Sequence, residues 1–166
     1  MNLIAQTPGI RTAALNASVL ARLAHRWRPA GVFVACLDKN AEVTWQDPDM
    51  PRLLGLLLTD GALAAFIRSA REPTTVTAAP CFIPGLDIRI VPILRRRKLT
   101  GFLAVFARTA ALDPRSEDLA RLAQRANTDA TFLAGAANRA PTLLPQQLDA
   151  LVLCIEQMHD DLHVGA

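Results

Sequence analysis

Leu15, Val19, Leu23 and Trp27 recur every four residues, with Leu20 beside them. That spacing predicts a helix from about Thr12 to Trp27 with one apolar stripe, ended by Pro29 and Gly31. Val32 to Leu37 is apolar on both faces, as a central strand is, and Asp38-Lys39-Asn40 has turn chemistry. Val43 and Trp45 alternate with polar neighbours, so Gly31 to Gln46 reads as a hairpin. Asp47 to Pro73 is a helical excursion punctuated by Pro48 and Pro51, in which Thr59 or Asp60 is expected to cap a helix carrying Leu63, Phe66 and Ile67. Thr74 to Ala78 is β-prone.

A second hairpin follows. Leu86, Ile88 and Ile90 alternate with Asp87 and Arg89, Arg95 to Lys98 form the connection, and Leu99 to Phe106 is again apolar on both faces. Pro92 argues for a bulge or a strand edge, and Gly101 for a bulge or close backbone approach. Asp113-Pro114 opens a long helix whose buried face is Leu119, Leu122, Ala126, Ala130 and Leu133. Pro141 and Pro145 separate it from a last helix carrying Leu144, Leu148, Leu151, Ile155, Met158 and Leu162, a heptad-like seam. A strand-rich middle between helices is an α+β pattern: a central antiparallel sheet of about five to six strands with helices at both termini. The division expected is a domain over residues 1–140 and a signalling or dimerisation helix over 141–166.

Composition narrows the classes. With 51% hydrophobic and 20% charged residues, the 166-residue chain is not intrinsically disordered. Its apolar runs, Leu53 to Leu58 among them, are too short to span a bilayer, and the first residues lack a signal-peptide pattern. Cys36, Cys81 and Cys154 are far apart and read as free thiols in a reducing compartment, so a cytoplasmic setting is expected. The net charge of +3 is mild and the chain has no Tyr, so no nucleic-acid partner is expected; without a spanning run, no membrane partner is expected either.

Asp87-Ile88-Arg89-Ile90-Val91-Pro92-Ile93-Leu94, a charged turn and Gly101-Phe102-Leu103-Ala104-Val105 resemble the core hairpin of GAF domains. Asp113 to Leu133 resembles the GAF closing helix, and the likeness in element order covers about Leu15 to Ala137. Cys81, Gly85-Leu86, Pro92-Ile93 and Gly101 also resemble the ligand-binding domain of propanediol-type regulators, where the Cys side contributes to the ligand site. The resemblance implies a GAF/PAS-like sensory domain, cytoplasmic, which binds a small molecule between the sheet and the Asp47–Pro73 cover. The ligand-site residues it suggests are Trp45, Phe66, Cys81, Phe82 and Arg89. The family also includes members that bind nothing and serve as dimerisation units.

Catalytic chemistry finds little support in the residues. His159 and His163 are four apart and would share a helix face, as metal ligands do, but His25 is the only other histidine and a solvated helix end is the better reading. Arg95-Arg96-Arg97-Lys98 could attract an anion, although a charged hairpin tip is usually a solvated guard against edge pairing. Cys81 lies in a loop with two prolines and no evident base, Trp27 and Trp45 suit a core, and Asp47 and Asp49 suit a turn. No Ser-His-Asp context, phosphate-cradling glycine loop or acidic metal cluster occurs.

The expectation is therefore a non-enzymatic regulatory module that signals through its terminal helices, as a homodimer with an output domain downstream; no cofactor is indicated. The alternatives are a ligand-free dimerisation scaffold and a metal-dependent hydrolase built on the histidine pair.

Overall fold

The computed structural model of the chain describes residues 17–69, 77–79 and 83–157. Helix α1 (Ala17–Trp27) leads through a 3-10 turn (Arg28–Ala30) into β1 (Val32–Asp38) and β2 (Val43–Gln46). Then come α2 (Arg52–Thr59), α3 (Ala62–Ser69), β3 (Thr77–Ala79), β4 (Leu86–Arg95) and β5 (Lys98–Arg108). Helices α4 (Glu117–Arg125), α5 (Ala130–Asn138) and α6 (Pro145–Gln157) complete the described chain. The strands form one open antiparallel sheet in the order β2-β1-β5-β4-β3. The α+β class and antiparallel sheet follow the sequence pattern, with five strands among the described residues.

The two-faced apolarity of β1 and β5 has its reason in this order: each has a strand on either side and a helical layer on either face. Phe33, Ala35, Leu37, Ile88, Ile90, Phe102, Ala104 and Phe106 face one core, covered by α2, α3, α4 and α5. Val32, Val34, Cys36, Val91, Ile93, Leu103 and Val105 face the other, covered by α1 and α6. Gly101 stands opposite Asp38, and a Cβ there would run into the Leu37 carbonyl oxygen, so close backbone approach is what this glycine allows. Pro92 lies two residues beyond Ile90, the last β4 residue paired with the described part of β3, and next to a register shift at Ile93/Leu94, as expected of a proline at a strand irregularity.

Several local expectations are corrected. The single helix over Asp113–Leu133 is two helices: Asn127 takes a left-handed φ of 53°, and the Asp129 side chain accepts a hydrogen bond from the Thr131 N–H, capping α5. Asn and Asp favour such breaks because their short polar side chains satisfy backbone groups locally. The Thr59 hydroxyl donates back to the Gly55 and Leu56 carbonyls of α2, at 3.4 and 3.1 Å, rather than forward to α3. Of the α6 seam, Leu148 and Ile155 are buried against the chain's own sheet, with Val152 beside them, whereas Leu144 is exposed. Met158 and Leu162 of that seam, and the histidine pair, lie outside the described residues.

Two arginines fasten the ends of these layers. Arg28 donates through Nε and Nη2 to the fully buried Asp47 at 3.2 and 2.6 Å and pairs with Asp49 at 2.7 Å. The hydrogen bond to Asp47 raises the Arg28 guanidinium above its ordinary value. Arg108, buried at the end of β5, donates to the carbonyls of Ala110 and Asn138, both at 3.1 Å, and to that of Ala140. It thereby caps carbonyls at the C-terminus of α5 with a positive charge, where the helix dipole favours one.

Candidate functional site

A cavity of about 320 Å³ opens on the α2–α5 face of the sheet. Leu57 of α2, Leu63 of α3, Ile88 of β4, Leu122 of α4 and Ile83 form its apolar floor, and Asp60, Asp118, Arg121 and Arg125 stand at its mouth. Its volume lies at the small end of the range for ligand sites.

The sequence builds this space by breaking helices. Leucine-rich α2 buries Leu53, Leu54 and Leu58, then stops at Asp60-Gly61, where Gly61 takes a φ of +88° with no neighbour within reach of a Cβ. Helix α3 restarts at Ala62 and buries Leu63 and Ile67. Helix α4 begins with Glu117 and Asp118, whose charges suit a helix N-terminus, and buries Leu119, Leu122 and Ala123. Arg121 and Arg125 are one turn apart at i, i+4, so both stand on the flank of α4 beside Leu122.

The mouth is held by ion pairs. Arg125 meets Asp60 at 2.7 Å, joining α4 to the α2–α3 junction. Arg121 pairs with Glu117 at 3.2 Å and Asp118 at 3.6 Å within its own helix. Asp60 is 16% exposed, whereas the two arginines are 58% and 57% exposed. Each guanidinium has five N–H donors, so both retain donor capacity toward a molecule entering the mouth.

The residues expected to form a ligand site are dispersed. Trp45 lies on β2 opposite Cys36 and packs with the α1/α6 core. Phe66, on α3, packs against the other core, so the sheet separates the two. Arg89 lies between Asp87 at 3.1 Å and Asp149 of α6 at 3.2 Å, tying α6 to β4. Its Nε is buried without a partner, as is that of Arg108. None of Trp45, Phe66 or Arg89 lines the cavity. Cys81 and Phe82 lie outside the described residues. The mouth residues were missed as a site; the available signal was the Asp60-Gly61 break in an apolar helical stretch, together with Arg121 and Arg125 flanking Leu122.

Among the described residues no group of three or more His, Cys, Asp or Glu side chains is placed to hold a metal ion, and no helix is long and apolar enough to cross a membrane. Cys36 is buried in the α1/α6 core and Cys154 is exposed on α6. No protein-family model matches the chain, and no curated protein matches it.

Proposed function

We propose that the chain is a regulatory, GAF-like domain that binds a small molecule in the cavity between α2, α3, α4 and β4, without catalysing a reaction. The cavity carries this reading: an apolar floor of five side chains lies beneath a mouth with two arginines. Such a lining accepts an apolar body and orients it by a few polar contacts. Arg121 and Arg125 have donors to spare, so the head group that fits is an acceptor, a carboxylate or a phosphate. Binding would reset the α2–α3 junction through Asp60, which shares Arg125 with the ligand.

A thermal-shift screen of small apolar carboxylates and phosphate monoesters, run on the unmutated chain and on Leu63→Trp, tests the reading. Leu63 lines the cavity, so the indole should fill it. A hit that stabilises the first protein and not the second supports cavity binding; a hit that stabilises both equally binds elsewhere.

A dimerisation scaffold is a second reading, favoured by Leu144 and Leu153 on and beside α6, which are 62% and 54% exposed. Light scattering should then report twice the chain mass, and Leu144→Glu with Leu153→Glu should halve it. A monomer in the unmutated protein removes this reading.

A further inference from the structure

The tip of the β4–β5 hairpin departs from the residues that a two-residue turn selects. Arg96 and Arg97 form it above the Arg95–Lys98 pair, and their φ values are 50° and 65°. A turn with positive φ at both central residues normally carries Asn-Gly or Asp-Gly. Side chains as long as arginine rarely adopt this conformation, because the left-handed region crowds their Cβ. A hairpin that needed only to reverse direction would be better served by Asn-Gly, so the arginines are explained by their charge.

The sheet register gathers more charge beside them. Asp38 pairs with Gly101, three residues after Lys98, so the β1–β2 turn lies at the same end of the sheet. Exposed Lys39 belongs to that turn, and Arg68, near the end of α3, donates to the Asn40 carbonyl at 3.1 Å. Three separate elements thus deliver six basic residues to one end: Lys39, Arg68, Arg95, Arg96, Arg97 and Lys98. The acidic residues described in these same elements at this end are Asp38 and Glu42, so basic residues outnumber acidic ones there. Asp38 is already engaged: its Oδ1 accepts from the Asn40 and Glu42 N–H groups at 2.8 and 3.0 Å.

We propose that this end of the sheet docks on a membrane surface rich in anionic headgroups. The charges surround a projecting hairpin tip, and a flat polyanionic face can meet side chains from all three elements at once. Polybasic clusters are drawn to anionic leaflets in this way, with no apolar insertion required. Nucleic-acid sites of single-strand type interleave stacking aromatics with the basic residues, and neither of the two turns has one. The expectation of no membrane partner rested on the absence of a spanning run, and contact at headgroup level needs none. The patch shares no residue with the cavity, so the two sites stand or fall separately.

Co-sedimentation of the full chain with phosphatidylglycerol–phosphatidylcholine vesicles, and with phosphatidylcholine alone, tests the proposal. Binding should be confined to the anionic vesicles and should fall steeply between about 0.05 and about 0.5 M salt. Arg96→Asn with Arg97→Gly installs the residues the turn prefers, so the melting temperature should hold or rise while vesicle affinity drops roughly tenfold or more. Arg96→Lys with Arg97→Lys should retain most of the binding. Undiminished binding by the Asn-Gly variant overturns the proposal. So does salt-sensitive binding to duplex DNA or to a poly-glutamate peptide without binding to vesicles, which would make the partner a nucleic acid or an acidic protein.

Discussion

Arg125 of α4 and Asp60 of the α2–α3 junction meet at 2.7 Å across the mouth of the cavity, so one ion pair joins the two walls between which a ligand would enter. Because Arg125 is more than half exposed, the pair should contribute little to stability, about 1 kcal/mol or less. Its effect on binding is directional. Arg125→Gln should weaken an anionic ligand found by screening, and Asp60→Asn should strengthen it by removing the competing carboxylate. Calorimetric titration of both variants checks this; equal weakening by both would mean that the pair only shapes the mouth.

The central strands should be the least tolerant part of the sheet. Phe102 and Phe106 of β5 are 2% and 0% exposed. Replacing either by Ala should cost about 3–5 kcal/mol in chemical denaturation. A loss below about 1 kcal/mol would place the ring outside the core.

The clamp between Arg28 and Asp47 should be asymmetric. Arg28→Ala leaves a fully buried carboxylate without its cation and should cost roughly 3–5 kcal/mol. Asp47→Ala leaves an arginine that still reaches solvent and Asp49, so it should cost less. The two denaturation midpoints, measured side by side, decide the order.

Helix α6 should behave as part of the folded domain as far as Gln157. Leu148→Ala should cost about 2–5 kcal/mol because Leu148 is fully buried on the sheet. Leu153→Glu should be nearly neutral, since Leu153 faces out. Equal tolerance at both positions would free the helix to act as a detachable lever.

The parts of this fold that were legible in the sequence are those fixed by period. Val32 to Leu37 and Leu99 to Phe106 are apolar on both faces because both layers of helices cover them, and alternation sets β4 in register. What the sequence hides depends on which neighbour satisfies a polar group. Asn127 and Asp129 break a helix that apolar periodicity alone carries through. The spacing of Leu148, Leu151 and Ile155 reads equally well as a seam for another chain or for the chain's own sheet, and only packing chooses. Trp45 and Phe66 look like partners in one pocket, yet strand parity turns Trp45 to the α1/α6 side of the sheet while α3 carries Phe66 on the other. The cavity mouth joins Asp60 to Arg125, 65 residues apart in sequence, a pairing that no local pattern announces.

The central claim is that a small molecule occupies the cavity above Ile88. Native mass spectrometry of the gently purified chain, compared with Leu63→Trp, tests it most directly. The account predicts an adduct of a few hundred daltons on the unmutated protein, acidic when released and absent from the folded Leu63→Trp variant. The same adduct retained by that variant, or no adduct and no stabilising ligand in a full metabolite screen, would contradict it.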